Sequence, residues 1–271
     1  MQINNQNSKT IRIFTKQYWQ EAANQLGDIR MLTIAALIVA LRIIVKLPIL
    51  RIQLADGLSI TLDAYVNSLG SLIYGPVVAI FVGVVSDTLG VITTGSTWFP
   101  LFILTEVSSS VIFALFFWRK PIKLTTILSA KFTVNLVCNI IMTSLFQKCE
   151  KFVLGGLSTV SIFSIFDKWD LFVESGVRHA QAYNIINGIR IVKNLVLFPL
   201  EAMIIVIVLS AALPVVSKLK LIDKNLCYIE KPSTTKLILQ VILFTAISIV
   251  LVLLYVFFLK DFVANLNIKF W

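Results

Sequence analysis

The chain has 271 residues, of which 58% are hydrophobic and only 14% are charged. A typical soluble domain has nearer a quarter charged residues and under half apolar residues, so this composition excludes a single water-soluble domain. Because a helix of about 20 apolar residues crosses a bilayer, the length allows about six or seven such helices. The sequence therefore predicts an all-α, polytopic transmembrane helix bundle.

The net charge of +10 arises from 24 Lys and Arg against 14 Asp and Glu. Most of these basic residues flank apolar stretches, where they indicate membrane orientation, so we expect no nucleic-acid partner. The three cysteines form no Cys-x-x-Cys pair and there is one histidine, so we expect neither a metal site nor a cofactor. No phosphate-binding loop, zinc-protease motif or hydrolase elbow is present, and we expect no enzyme activity.

Seven apolar stretches follow one another along the chain and predict the membrane spans. They are residues 31–50, 58–74, 77–92, 98–118, 123–146, 185–216 and 237–259. Gly75-Pro76 separates the second stretch from the third, because proline cannot continue a helix through that turn. The last stretch carries no charge and is the clearest span.

The distribution of basic residues predicts the orientation of these spans. Segments 1–30, 119–123 and 217–236 hold twelve Lys and Arg, against seven in the segments on the other side. Basic residues concentrate on the cytoplasmic side, so we expect a cytoplasmic N-terminal segment, a basic cytoplasmic linker at 217–236 and an external tail at 260–271. Residues 147–184 form an extended external loop in this scheme, and 1–30 is either an amphipathic surface helix or a flexible tail.

Several ionisable and amide side chains lie within the predicted spans, where they are costly unless they face a partner or a wet cavity. Arg190, Lys193, Asn194 and Glu201 share one helical face, and Lys131, Asn135, Asn139 and Thr143 recur at intervals of four. Arg42 and Lys46 share a face of the first span, and Asp63, Asn67, Asp87 and Glu106 lie in the next three. These residues predict a polar cavity in the outer half of the bundle. The alternative is internal pairing, such as Glu201 with Lys193 and Asp87 with Lys131.

The first span also carries a smooth face. Ala36 and Ala40 form a small-xxx-small motif that lets another helix approach closely. At 100° per residue these alanines point about 120° away from Arg42 and Lys46. One helix can therefore direct its basic face to a cavity and its smooth face to a partner.

Taken together, these elements resemble the substrate-binding S component of energy-coupling factor (ECF) vitamin transporters, in particular the folate-type S components. The resemblance covers about residues 20–215. It rests on A-x-x-x-A-L-R at 36–42, Gly75-Pro76, G-x-x-x-D at 83–87, the Gly, aromatic and Pro loop at 93–100, and R-x-x-K-N at 190–194.

The resemblance implies a six-helix substrate-binding domain over residues 31–216, in the membrane of a bacterium, with the span at 237–259 as an additional helix. A vitamin, folate or a related anionic one, would bind from outside. The implied ligand-binding residues are Arg42, Asn67, Trp98, Asn139, Arg190, Lys193 and Asn194. Ala36 and Ala40 would contact a transmembrane T component, and two ATPase subunits would hydrolyse ATP.

Two departures from the family pattern leave other ligands open. The loop at 93–100 lacks the family's first prolines, and the stretch from Asn139 to Met142 lacks the family's tryptophan. Pantothenate, pyridoxine or cobalamin are the alternative vitamins. A stand-alone secondary transporter would show two related halves, which are not found, and a non-transport polytopic membrane protein is the remaining alternative.

Overall fold

The computed structural model describes residues 15–55, 58–95, 99–160, 164, 167–181 and 188–222, with isolated residues between 239 and 254. Eight α-helices and one short hairpin make up these residues. The helices are α1 (Lys16–Asn24), α2 (Ile29–Lys46), α3 (Asp63–Thr94), α4 (Leu101–Phe117), α5 (Leu124–Val134), α6 (Thr143–Thr159), α7 (Trp169–Gln181) and α8 (Gly188–Lys218). The antiparallel strands β1 (Ile52–Ala55) and β2 (Leu58–Ile60) connect α2 to α3.

The all-α membrane bundle expected from composition is confirmed. Among the described residues, three helical stretches are long and apolar enough to cross a membrane: Asp63–Thr94, Leu124–Thr159 and Arg190–Lys218. A shorter apolar helix, Leu101–Phe117, accompanies them. The core joins α3, α4, α5 and α8, and a second cluster packs α2 on α3.

The chain reverses direction within α3, at the predicted Gly-Pro break. Arg42 binds Asp63 at the start of α3, whereas Lys46, one turn along α2, lies 3.2 Å from where a Cβ on Gly90 would be. A straight helix would hold residues 63 and 90 about 40 Å apart. Gly75 has φ of 77°, which glycine adopts without strain, and the Trp118 indole occupies the space of its missing side chain.

The predicted span at 123–146 is longer in the structure. From α5 the helix continues through a π-helical segment, Asn135–Met142, into α6 and ends only at Thr159. In place of an irregular loop, α6 and α7 form a tight helical hairpin. Gly155 and Gly156 permit this contact, because a Cβ on either would lie 2.4–2.5 Å from the side chains of His179 and Phe172.

The N-terminal segment contains a helix, which is one of the two alternatives that the sequence left open. α1 packs on the reversal in α3: Tyr18 is 1% exposed and meets Trp118 edge-on, with ring centroids 5.0 Å apart. Glu21 pairs with Arg119. α1 therefore lies at one end of the bundle and β1–β2 lies at the other. We call the end that carries β1–β2 the hairpin end.

Several predicted features fall wholly or largely outside the described residues. They are Trp98, most of the basic linker at 217–236, the tail at 260–271 and the additional span at 237–259, of which the structure describes only isolated helical residues. These features stay predictions.

Candidate functional site: a polar cavity at the hairpin end

A cavity of about 300 Å³ opens between β2, the π-helical segment and the first turns of α8. This volume is at the lower end of the range for small-molecule sites. Its lining residues are Ser59, Thr61, Asn139, Thr143, Arg190, Lys193, Asn194, Leu197 and Glu201. The predicted polar face of the sixth span is thus confirmed as the wall of a cavity, while its role in ligand binding stays a prediction.

The π-helical segment keeps the polar side chains that recur at intervals of four on one face of the continuous helix from α5 to α6. These side chains are Lys131, Asn135, Asn139 and Thr143. Four residues of α-helix turn by about 400°, so side chains spaced strictly by four drift by about 40° at each step. The wider π turn reverses this drift, and such segments are frequent at functional sites. The backbone N–H of Thr143 donates to the carbonyl of Cys138, five residues earlier, as in a π-helical turn, and the Thr143 hydroxyl donates to the same carbonyl. Asn139 thereby reaches α8, where its amide donates to Asn194 Oδ1 at 3.2 Å.

The charges in the cavity are unevenly compensated. The carboxylate of Glu201 lies 2.9 Å from the ammonium of Lys131, which is 2% exposed. Among the described residues, Arg190 donates only to neutral oxygens, the Gln147 side chain at 2.9 Å and the Asn139 carbonyl at 3.4 Å. Within the described part of the chain, the Lys193 ammonium has neither an ion pair nor a hydrogen bond. Two cations therefore face the cavity without a carboxylate partner among the residues that the structure describes.

The pairing pattern differs from the sequence-based alternative. Glu201 pairs with Lys131 and not with Lys193. Asp87 has a buried oxygen with no hydrogen-bond partner among the described residues, so it does not pair with Lys131. Helical spacing indicates which residues share a face, but it does not indicate which helices become neighbours.

Arg42 and Asn67 lie in a separate polar network between α2, α3 and α4. The Arg42 guanidinium is fully buried; it forms a two-pronged pair with Asp63 at 2.8 and 2.9 Å and a further pair with Glu106. Lys46 lies 3.0 Å from the other Glu106 oxygen. We call Arg42, Lys46, Asp63 and Glu106 the paired cluster. No member of the paired cluster lines the cavity.

Asn67 extends the paired cluster through hydroxyl groups. Ser110 accepts from Arg42 at 3.4 Å and donates to the Asn67 side chain at 2.8 Å, and Asn67 donates to Ser109. The structure therefore brings Asn139, Arg190, Lys193 and Asn194 together and places Arg42 and Asn67 elsewhere. Ligand contact by Arg42 and Asn67 stays a prediction.

The predicted smooth face of the first span lies on the surface. Ala36 and Ala40 are exposed, whereas Arg42 on the same helix is buried. The two faces of α2 are thus separate, as the helical angles require. Contact of the alanines with a partner stays a prediction.

Sequence reasoning missed the contribution of the hairpin to the cavity. Ser59 and Thr61 line it, yet residues 58–74 read as a membrane span. The signal was present: Asp56-Gly57 stands between the alternating stretches Ile-Gln-Leu and Leu-Ser-Ile. Asp-Gly between such stretches is typical of a tight hairpin.

Comparisons with known proteins identify the family of this chain. The model of the family "ECF transporter, substrate-specific component" matches residues 30–210. The curated folate transporter FolT of Clostridium novyi (strain NT) is 25% identical over 158 residues, which is 58% of this chain and 73% of that protein. A crystal structure of FolT bound with folic acid is 19% identical, with a TM-score of 0.46, over 65% of this chain and 88% of that one. The family match spans most of the chain, and the protein therefore belongs to the membrane-embedded substrate-specific components of ECF transporters, which are transport subunits and not enzymes.

Proposed function

We propose that this chain captures an anionic vitamin, folate or a close relative, for uptake. The observation that carries the proposal is the presence of Arg190 and Lys193 in one cavity without a carboxylate partner among the described residues. An uncompensated cation inside a membrane is costly. An anionic ligand would supply the missing charge, and an arginine would bind its carboxylate through two parallel hydrogen bonds.

Folate suits this cavity because it joins a polar ring system to carboxylates. Asn139 and Asn194 place amide groups beside the two cations. The Asn139 amide nitrogen donates to Asn135 and Asn194, so a ligand would take the place of one of these bonds or use the Asn139 side-chain oxygen as acceptor. The name of the Clostridium novyi relative also supports folate as the ligand. Stacking of the ligand ring on Trp98 is part of the proposal but concerns a residue outside the described ones.

The proposal includes an energising module made of a transmembrane T component and two ATPase subunits, in which ATP hydrolysis would reside. The exposed pair Ala36 and Ala40 supports docking on α2, since small side chains let helix backbones approach closely. We place the N-terminus in the cytoplasm and the cavity on the external side. The position of α1 opposite the hairpin end supports this orientation.

Native mass spectrometry of the purified chain, followed by titration with a vitamin panel, tests the ligand. We expect a retained or added folate to bind in a one-to-one complex. Saturable binding of pantothenate, pyridoxine or cobalamin in its place would keep the transporter function and change the ligand. Failure to bind any of these vitamins would contradict the proposal.

Co-purification tests the partners. Ala40→Leu would place a larger side chain on the smooth face of α2 and should reduce the amount of ATPase subunits recovered with the chain. Ala211→Leu is a matched control, because Ala211 is equally exposed on α8. Equal recovery of the ATPase subunits with both variants would argue against docking on the α2 face.

A further inference from the structure

The buried guanidinium of Arg42 does not line the cavity. It is 0% exposed, and its donors reach Asp63, Glu106 and Ser110 on two other helices. A buried arginine of this kind has no donor directed at the cavity. Its effect on a ligand must therefore pass through one of its partners.

Asp63 is the partner that leads to the cavity. It begins α3, and Thr61, two residues earlier, lines the cavity together with Ser59. Two residues of extended chain span at most about 7 Å. The position of the Asp63 backbone thus limits where Thr61 can lie.

The pair between Arg42 and Asp63 is well suited to fixing that position. Both oxygens of Asp63 are engaged, at 2.8 and 2.9 Å, by two nitrogens of the same planar group. A two-pronged contact restricts orientation as well as distance. Glu106, by contrast, engages Arg42 and Lys46 from α4 and lies outside the connection to the hairpin.

We propose that Arg42 is a positioning residue, which acts on the ligand through Asp63 by holding Ser59 and Thr61 at the wall of the cavity. This inference rests on the proposed function for its ligand. It assigns to Arg42 an indirect role in place of the ligand contact implied by the family resemblance. It also predicts different roles for the two carboxylates of the paired cluster. The pair of Arg42 with Asp63 affects the affinity for the ligand, and the pair of Arg42 with Glu106 does not.

Asp63→Asn and Glu106→Gln form a matched pair for the test, because each removes one negative charge next to the same guanidinium. Folate binding is measured by calorimetry on purified protein that elutes as a single species. We expect Asp63→Asn to weaken binding about tenfold, within the range seen for residues that act through a network. Glu106→Gln should stay within about twofold of the unaltered chain. Equal losses in the two variants would overturn the inference, because a merely structural role predicts them.

A spin label supplies a readout that needs no ligand. Gln53 is exposed on β1 and pairs with Ser59, so a nitroxide on Gln53→Cys reports the mobility of the hairpin. Cys149→Ser and Cys227→Ser remove two competing thiols, and Cys138 is buried. Asp63→Asn should raise the label mobility and Glu106→Gln should not. Unchanged mobility with Asp63→Asn would overturn the inference even if affinity fell, since the effect on the ligand would then not pass through the hairpin.

The two experiments also distinguish failure of the proposed function from failure of the positioning role of Arg42. If the unaltered chain binds no vitamin, the proposed function fails, while the label comparison still decides whether the Arg42–Asp63 pair holds the hairpin. If the chain binds folate and Asp63→Asn has no effect on affinity or mobility, the proposed function stands and the positioning role of Arg42 fails.

Discussion

The paired cluster and the cavity contain the same kinds of side chain in the same bundle, yet they are organised in opposite ways. In the paired cluster, Arg42 and Lys46 face Asp63 and Glu106, so two cations meet two carboxylates. In the cavity, Glu201 is the one carboxylate among the described lining residues, and it is already paired with Lys131. Arg190 and Lys193 are left with neutral partners or none among the described residues.

This difference separates residues that build the bundle from residues that are available to a ligand. A charge pair that is complete within the protein gains little from binding an additional ion. A buried pair loses much, however, when one partner is removed, because the other charge stays uncompensated. Variants in the paired cluster should therefore affect folding most, with Asp63 acting on binding only through the hairpin, whereas variants in the cavity should affect binding directly.

Removal of the central charge of the paired cluster should have the largest effect. Arg42→Met leaves two half-buried carboxylates without their guanidinium and should lower the free energy of unfolding by about 3–5 kcal/mol. Thermal unfolding in detergent measures this loss. Lys218→Met, at an exposed position on α8, is the control. A melting temperature equal to that of the control would show that the paired cluster does not stabilise the bundle.

Arg190→Gln should have the opposite profile. Because its partners in the protein are neutral oxygens, we expect little change in the melting temperature. Loss of a charged contact to a bound carboxylate costs about 2–5 kcal/mol, which weakens folate binding by about thirtyfold or more. Calorimetry on the variant measures this. Loss of stability without loss of affinity would show that Arg190 stabilises the bundle and does not bind the ligand.

Lys193→Gln should have a smaller effect of the same kind. Its ammonium is a half-buried point charge, and a hydrogen bond to a charged group is worth about 1.5 kcal/mol or slightly more, or about tenfold in Kd. Because part of this attraction is screened by salt, folate binding by the unaltered chain should weaken more with rising salt than binding by the variant. Identical salt dependence would show that Lys193 does not face the ligand.

The smallest effect is expected outside both regions, at α1. Burial raises the pKa of Tyr18 to about 12, and the nearby charge of Arg119 opposes this only in part. The folded protein then holds its proton more firmly than the unfolded chain, whose tyrosine pKa is about 10. The contribution of Tyr18 to docking of α1 is complete below about pH 10 and is lost as the pH rises towards 12.

Tyr18→Phe checks this dependence. The hydroxyl has no hydrogen-bond partner within the described part of the chain, so its removal should leave stability at neutral pH unchanged. Tryptophan fluorescence from the Trp118 contact should change between pH 10 and 12 in the unaltered chain and stay constant in the variant. A fluorescence change of the same size in both proteins would show that a group other than Tyr18 titrates in this pH range.

Much of this architecture could be predicted from local patterns. Apolar length gave the membrane class, and the Gly-Pro pair marked the chain reversal at Gly75, because proline and a positive φ have local causes. The spacing of Arg190, Lys193 and Asn194 placed them on one face, since helical periodicity needs no knowledge of neighbours.

The rest depended on which elements become neighbours. Arg42 and Arg190 look alike in sequence, as arginines within apolar stretches, but only Arg42 meets two carboxylates from other helices. The length of the helix that ends at Thr159 was also missed, because the span was expected to end at residue 146 and residues 147–184 to form an external loop. Tertiary contact with α7, through Gly155 and Gly156, accounts for its helical continuation.

The most direct test of the central claim is a calorimetric titration of folate into the unaltered chain and into the double variant Arg190→Gln, Lys193→Gln. We expect saturable one-to-one binding by the unaltered chain and no measurable binding by the double variant, with closely similar melting temperatures. Folate binding of equal affinity in both proteins would contradict the assignment of the two cavity cations to the ligand.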